Sequence, residues 1–252
     1  MSGSTQGIGY AIAEALAREG ASVIVNGRDK TRLAEAVARL EDAVSGAQVR
    51  GLAADFADAE QVDLLSDDLG AVDILVNNVG LFGLAAFDET DDAEWQRYFD
   101  VNVMSGVRLC RRVLAEMLAK KQGRIIFVSS ESGVNVPPDM VHYGVTKAAM
   151  IALGNGLAKL TRGTDVTVNT ILGGPTYSDG VAGTIEAIAR SQSMAVEDLK
   201  TAIIGGNQTS LLERFIDPQE IAHLAVYLAS PLSSATNGAA LRADGGVLTT
   251  ML

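Results

Sequence analysis

The sequence is poor in the residues that make disulfides and metal sites. Cys110 is its only cysteine among 252 residues, and there are only two histidines. One cysteine excludes an internal disulfide. With so few cysteine and histidine ligands, a metal site is not expected. A chain without disulfides fits a reducing compartment, so we expect a cytoplasmic protein with no metal.

Basic residues are also scarce. Asp and Glu total 31 against 20 for Lys and Arg, which gives a net charge of −11 and a sequence pI near 4.6. Nucleic acids and anionic membranes need a basic face, so neither is expected as a partner. We find no signal-peptide pattern and no apolar run of the roughly 18 residues that a membrane span requires. A small-molecule ligand is the remaining expectation.

What the chain does contain is a regular alternation of apolar, β-branched runs with helical patterns. Strands are predicted at 21–26, 48–53, 73–77, 123–130, 165–172 and 239–243. Strands that alternate with helices predict an α/β fold with a parallel sheet in one domain over 1–252. Residues 179–213 interrupt the alternation with two helical pieces, at 184–194 and 196–204, and a glycine pair at 205–206, which favours a substrate lid.

A glycine-rich turn at residues 2–9 runs directly into a helical pattern. Such a turn lets the backbone approach a pyrophosphate, and the free N–H groups at the helix start favour its negative charge. The alternative is a helix with a flexible start. A strand should precede this turn, and none does. We expect either a chain that starts late, which we favour, or a gap between the strands at 21–26 and 73–77.

The predicted strand at 21–26 ends without the acidic residue that would bind an adenosine ribose. Arg28 follows instead. Because a guanidinium pairs well with a 2′-phosphate, Arg28 favours NADP(H) over NAD(H), and a solvated turn arginine is the alternative. Asp55 ends the next strand, where it would accept from an adenine amino group or cap the helix that follows.

Ser130, Tyr143 and Lys147 have a spacing that suits proton transfer. Tyr and Lys four residues apart lie on one helix face. A cation beside the phenol would lower the tyrosine pKa from about 10 toward working pH, and Ser130 would bind the reacting oxygen. Taken alone, such a Tyr and Lys pair is also common on helix surfaces.

Together these motifs resemble the short-chain dehydrogenase/reductase family, a Rossmann-like, three-layer, doubly wound fold. Residues 2–9 match the family's Thr-Gly-x-x-x-Gly-x-Gly turn with Ser for Thr, and residues 77–80 match Asn-Asn-Ala-Gly with Val for Ala. The positions that match the family's catalytic tetrad are Asn102, Ser130, Tyr143 and Lys147. The chain is similar to members that reduce 3-oxoacyl groups on acyl carrier protein.

The resemblance implies a role for each tetrad residue. Tyr143 would exchange a proton with the substrate oxygen, which Ser130 would orient. Lys147 would lower the tyrosine pKa and bind the nicotinamide ribose, and Asn102 would hold a water. The implied cofactor contacts are Gly3, Ser4, Thr5, Gly7, Ile8, Arg28, Asp55, Asn78, Gly80, Tyr143, Lys147, Gly174, Thr176 and Ser178. The family's Pro-Gly before the lid is here Gly173-Gly174.

The resemblance implies an oxidoreductase that moves a hydride between nicotinamide and a ketone or secondary alcohol, assembled as a tetramer or dimer. Apolar residues near the motifs favour a ketone or 3-oxoacyl substrate over a sugar: Leu81, Phe82, Val134, Val136, Pro137, Met140 and Met194. The alternative is a catalytically idle relative that binds the dinucleotide as a sensor or partner subunit.

Overall fold

The computed structural model describes residues 1–206 and 209–251. Its strands are β1 (Val23–Gly27), β2 (Val49–Ala53), β3 (Ile74–Asn77), β4 (Gln122–Ser130), β5 (Asp165–Gly173) and β6 (Ala240–Ala243). Its helices are α1 (Gly7–Arg18), α2 (Lys30–Ala43), α3 (Ala59–Asp68), α4 (Asp92–Tyr98), α5 (Ser105–Lys120), α6 (Val141–Leu160), α7 (Asp179–Ser191), α8 (Val196–Gly206) and α9 (Pro218–Ala229).

All strand pairings are parallel. β1 pairs with β2, and β3, β4, β5 and β6 follow one another in a second group. One apolar cluster packs α1, α2 and α9 against one face, and a second packs α3, α5 and α6 against the other. β4 and β5 are buried almost throughout because helices cover both faces. The predicted doubly wound α/β fold is confirmed.

Residues 1–4 link the two strand groups. The Ser2 N–H donates to the Val76 carbonyl of β3 at 3.0 Å, and the Ser4 N–H donates to the Asn26 carbonyl of β1 at 2.8 Å. No strand is assigned to this segment, in agreement with the sequence prediction. These bonds satisfy backbone groups on both flanking strands, so the glycine turn is held between β1 and β3.

The long helix predicted over residues 91–120 is not uniform. It begins after the N-cap Asp91, runs through α4, widens into a π-helical turn at Phe99–Met104 and continues as α5. Turns of this kind often occur at functional sites. Here the wide turn contains Asn102, whose side chain is buried and bonded to neighbouring backbone.

α7 and α8 lie where the sequence predicts a lid, between β5 and α9. α7 begins at Asp179, five residues earlier than the helical pattern alone indicates, and α8 continues through Gly205 and Gly206 instead of ending before them. Residues 207–208 of the predicted lid lie outside the described residues. Movement of the lid remains a prediction. Within the described part of the chain, no helix has both the length and the apolar content to cross a membrane.

Candidate active site

The carboxyl end of β4 positions the two serines. β4 aligns Ser130 with Gly173 at the end of β5, and both serines are buried. The Ser129 hydroxyl donates to the Lys147 carbonyl of α6 at 2.9 Å. This bond ties the end of the sheet to the helix that carries Tyr143, as expected where parallel strands end and ligands bind.

Tyr143 and Lys147 face the serines from the first turns of α6. The Lys147 ammonium lies 5.5 Å from the centroid of the Tyr143 ring and donates to the Val128 carbonyl at 3.1 Å. Phe82 packs edge-on against Tyr143, with ring centroids 5.5 Å apart. The structure therefore brings Ser130, Tyr143 and Lys147 together, as their spacing predicts.

Burial dominates the acid–base chemistry of this pair. Removal from water raises the pKa of Tyr143 above its usual value, while a hydrogen bond with Ser130 acts in the opposite direction. Burial lowers the pKa of Lys147 to about 8. The predicted lowering of the tyrosine pKa by Lys147 is not the net effect in this structure, since the ammonium is directed at a backbone carbonyl and burial outweighs its charge.

Asn102 sits beside Lys147 and is 1 % exposed. Its carbonyl oxygen accepts from the Leu81 N–H at 2.6 Å, and its amide donates to Thr146 Oγ1 at 2.9 Å. A Cβ added at Gly80 would lie 3.5 Å from Asn102 Oδ1 and 3.4 Å from Lys147 Nζ, so both side chains border this glycine. Asn102 therefore fixes the loop after β3 against α6.

The glycine turn forms the other end of the site. A Cβ on Gly9 would overlap the carbonyl oxygen of Gly3, and Gly7 adopts a positive φ of 58°. Only glycine fits both requirements without strain. Asn78 closes the turn by donating its side-chain amide to the Gly3 carbonyl at 2.8 Å. The start of α1 is thus left open toward a cavity.

The start of α1 already binds a carboxylate of the same chain. The Gly7 N–H donates to the Asp179 carboxylate at 2.6 Å, while the N-cap Gln6 makes no side-chain cap bond. Asp179 is the first residue of α7. A carboxylate at this position shows that the turn suits a negatively charged oxygen, which is the chemistry of a pyrophosphate.

Arg28 and Asp55 lie together beyond the ends of β1 and β2. Their charged groups are 3.8 Å apart, and the Arg28 side chain is 75 % exposed. Asp58, not Asp55, caps α3, because its carboxylate accepts from the Glu60 and Gln61 N–H groups. The helix-cap alternative for Asp55 is therefore wrong. Arg32, in the first turn of α2, also lines the cavity.

A cavity of about 1200 Å³ extends from the glycine turn, past Arg28 and Asp55, to Ser130 and Tyr143. The predicted residues on its wall are Gly3, Thr5, Gly7, Ile8, Arg28, Asp55, Asn78, Gly80, Ser130, Tyr143, Gly174, Thr176 and Ser178. Ser4, Asn102 and Lys147 do not line it. Ser4 is fully buried, with its hydroxyl bonded to the Met1 carbonyl and the Asn26 N–H. Its predicted cofactor contact is not formed by its side chain here.

The apolar residues predicted for a substrate pocket separate into two groups. Leu81, Phe82, Pro137 and Met140 line the cavity. Val134 lines a different surface groove beside α6, and Val136 and Met194 are at least 38 % exposed away from the wall. Position in the sequence alone did not distinguish these two groups.

The charged residues at the site that the motifs did not indicate include Glu131, Asp179 and Arg32. Glu131 contacts Ser130, Asp179 contacts Gly7, and Arg32 borders the cavity near Arg28. Arg32 has a sequence signal, since it is a second arginine four residues after Arg28, in the first turn of the helix that follows. Glu131 and Asp179 directly follow predicted site residues, but nothing in their spacing indicates the contacts they make.

Comparison with known proteins decides the family. The model of the family described as short chain dehydrogenase matches residues 1–188. The chain is a short-chain dehydrogenase. The resemblance inferred from the glycine turn, the paired asparagines and the Ser, Tyr and Lys spacing is thereby confirmed.

Relatives of this short-chain dehydrogenase match it along almost its whole length. It is 43 % identical to the uncharacterized oxidoreductase YvaG of Bacillus subtilis, over 98 % of this chain and 94 % of that protein. It is 32 % identical to the 3-oxoacyl-[acyl-carrier-protein] reductase FabG of Vibrio harveyi, over 98 % of this chain and 95 % of that protein. The structure of L-sorbose reductase from Gluconobacter frateurii, solved with NADPH and L-sorbose, superposes on this chain with a TM-score of 0.94. The two are 32 % identical, and the superposition covers 100 % of this chain and 96 % of the reductase.

Proposed function

We propose that this short-chain dehydrogenase is an NADP(H)-dependent enzyme that transfers a hydride between nicotinamide and an apolar ketone or secondary alcohol. The observation that carries the proposal is one cavity with Ser130 and Tyr143 at one end and the open start of α1 at the other. A dinucleotide needs both an anion-binding turn and room beside a proton donor. Family membership already establishes NAD(P)-dependent oxidoreduction as the general chemistry.

The residues present fit a bound NADP(H). The Gly7 N–H and the dipole of α1 would hold the pyrophosphate, Arg28 and Arg32 the 2′-phosphate, and Thr176 and Ser178 the nicotinamide end. The cofactor supplies or receives the hydride. NADPH is bound by the related sorbose reductase, which supports NADP(H) over NAD(H) for this chain.

The protein's own residues would handle the proton. Tyr143 would donate it to the substrate oxygen in reduction and accept it in oxidation, with Ser130 holding that oxygen in place. Lys147 would bind the ribose hydroxyls. Asn102 would keep the loop at Gly80 in position through its bonds to Leu81, and hold the water that links Lys147 to solvent.

The cavity wall favours an apolar carbonyl substrate. The apolar residues on it include Leu81, Phe82, Leu84, Val101, Met140, Ile185, Ile188, Leu199, Ile203 and Phe215. A sugar would leave its hydroxyl groups without partners against such a surface, which costs about 1–3 kcal/mol for each. FabG, named for 3-oxoacyl substrates, supports the same class, whereas sorbose reductase supports a sugar. We therefore propose a ketone or 3-oxoacyl group.

A catalytically idle binding protein remains the alternative function. Such a protein would keep its dinucleotide site, but its proton-transfer groups would no longer lie close together. The joint placement of Ser130, Tyr143 and Lys147 favours the enzyme instead, because a binding protein has no need of a buried ammonium beside a phenol on the cavity wall.

The test of the proposed function is NADPH oxidation by the purified protein with a panel of aliphatic ketones, 3-oxoacyl thioesters and ketose sugars. We expect turnover with the first two groups and weak turnover with sugars. Tight NADPH binding without oxidation by any carbonyl would support the idle alternative. Preferred turnover of a ketose would contradict the apolar substrate.

Replacing Arg28 by Ala should weaken NADPH binding about tenfold and leave NADH binding nearly unchanged. Only NADPH carries the 2′-phosphate that a guanidinium at the end of β1 would bind. Titration of each cofactor by fluorescence measures the two affinities. Arg111→Ala removes the same charge from an exposed position on α5 and serves as the control. An unchanged ratio of the two affinities in Arg28→Ala would show that Arg28 does not bind the 2′-phosphate.

Replacing Asp179 by Asn should strengthen NADPH binding about tenfold. The Asp179 carboxylate occupies the Gly7 N–H, so the pyrophosphate must displace it, and charged hydrogen bonds of this kind contribute about 1.5–3 kcal/mol. Isothermal titration gives the affinity directly. Asp198→Asn on α8 makes the same charge change at an exposed position of the lid region. Weaker NADPH binding by Asp179→Asn would show that the carboxylate helps to hold the cofactor.

We further propose a cytoplasmic homotetramer or homodimer. The α6 surface supports assembly, since the exposed apolar residues Val145 and Leu160 lie along the helix that borders the second groove. Exposed apolar side chains on one helix surface fit a contact with a copy of the same chain. Sedimentation equilibrium of the purified protein measures the mass, and a monomer would contradict the proposal.

A further inference from the structure

Arg39 connects α2 to the glycine turn. Its guanidinium donates to the Thr5 carbonyl at 2.7 Å, and its Cζ lies 4.3 Å from the centroid of the Tyr10 ring on α1. Arg39 is exposed and does not line the cavity, whereas Thr5 does. A guanidinium that stacks on an aromatic ring keeps the N–H groups at its edge free to donate. The Tyr10 ring therefore holds Arg39 in an orientation that reaches Thr5.

The peptide between Thr5 and Gln6 depends on this contact. Before it, residues 2–4 are bonded to the flanking strands, and after it Gly7 begins α1. The Thr5 carbonyl accepts from Arg39, while the Gln6 N–H has no partner among the described residues. Within that part of the chain, the bond from Arg39 is the only hydrogen bond that this peptide makes.

The orientation of this peptide determines the direction of the Gln6 N–H. The described residues contain no cis peptide bond, and in a trans peptide the carbonyl and the N–H point in opposite directions. The Thr5 carbonyl points at Arg39, which is not on the cavity wall, and Gln6 is on that wall. The Gln6 N–H is therefore available beside the Gly7 N–H, which already binds a carboxylate.

The same peptide lies beside the end of β1. A Cβ added at Gly27 would overlap Thr5 Cγ2, so the absence of a side chain there makes room for the turn. Arg28, which we propose as a ligand of the 2′-phosphate, directly follows Gly27. The Thr5–Gln6 peptide thus lies between the residues proposed for the two phosphate-bearing parts of the cofactor, Gly7 for the pyrophosphate and Arg28 for the 2′-phosphate.

We propose that Arg39 is a positioning residue of the dinucleotide site. It holds the Thr5–Gln6 peptide so that the Gln6 N–H donates to a phosphate oxygen of NADP(H), and Tyr10 keeps the guanidinium in place. The pyrophosphate and the 2′-phosphate both supply such an oxygen, and the experiment separates them. This inference rests on the proposed function, because it concerns the site proposed for NADP(H).

The experiment is a fluorescence titration of NADPH and NADH with the wild type and two variants. Arg39→Met should weaken NADPH binding about tenfold, as expected for the loss of one hydrogen bond to a charged oxygen. NADH binding should weaken equally if the N–H faces the pyrophosphate, and stay unchanged if it faces the 2′-phosphate. Tyr10→Leu should weaken NADPH binding about threefold although it removes no charge. In both variants KM for NADPH should rise while kcat at saturating NADPH stays unchanged.

Two comparisons separate this positioning from the charge of Arg39 alone. Arg18→Met removes a positive charge from α1, where Arg18 pairs with Glu14, and should leave both affinities unchanged. If Arg39 attracted the phosphate directly, Tyr10→Leu would release its guanidinium, and NADPH would bind at least as tightly as to the wild type. That result, or an unchanged NADPH affinity in Arg39→Met, would overturn the role of Arg39 alone. A wild-type protein that binds neither cofactor would overturn the proposed function and this inference with it.

Discussion

Tyr143→Phe should lower kcat/KM for carbonyl reduction by about 10²–10⁴-fold while NADPH binds as before. The substitution removes the hydroxyl that would donate the proton, and general acid catalysis contributes about that factor. The ring would keep its edge-on contact with Phe82 and its place on α6. Steady-state kinetics with the preferred carbonyl and a parallel NADPH titration measure the two effects separately.

The matched control for this change is Tyr227→Phe. Tyr227 lies on α9, 39 % exposed and away from the cavity wall, so loss of its hydroxyl should not alter kcat/KM. A Tyr143→Phe variant that kept more than about a tenth of wild-type activity would show that another group donates the proton.

Lys147→Met should abolish most turnover and at the same time raise the free energy of unfolding. Lys147 is buried, it forms no ion pair with a carboxylate among the described residues, and burial lowers its pKa from 10.5 to about 8. That difference corresponds to about 3 kcal/mol of destabilisation near neutral pH, which a methionine of similar length would remove. A residue that lowers the free energy of unfolding in this way is expected where function requires it.

The pH dependence of stability checks the sign of this effect. Between the folded pKa of about 8 and the unfolded value of 10.5, the unfolded chain binds more protons at Lys147, so wild-type stability rises with pH in that window. Lys147→Met should therefore be most stabilising below about pH 8 and nearly neutral above 10.5. Lys159→Met, at an exposed position on α6, should show no such window in urea unfolding. Destabilisation by Lys147→Met at neutral pH would contradict this account.

Much of the fold followed from local patterns. Short β-branched runs separated by helical patterns predict parallel strands, and the six predicted strands each match β1 to β6 within two residues at both ends. The placement of Ser130 at the end of β4 and of Tyr143 and Lys147 near the start of α6 also followed, since strand ends and helix spacing are local properties.

Other features depend on packing that no local pattern records. The π turn around Asn102 forms because its amide binds Leu81 and Thr146, which are distant in sequence. The contact of Asp179 with Gly7 joins residues 172 positions apart. The net pKa of Tyr143 was predicted with the wrong sign, because the spacing to Lys147 is visible in the sequence but the burial of the phenol is not.

The central claim is that this cavity transfers a hydride between nicotinamide and a carbonyl carbon with Tyr143 as proton donor. The most direct measurement is a single turnover with NADPH deuterated at the nicotinamide C4, followed by mass spectrometry of the alcohol. We predict deuterium on the carbinol carbon with the wild-type protein and almost none with Tyr143→Phe in the same time. Unlabelled alcohol from the wild type, or equal labelling by both proteins, would contradict the account.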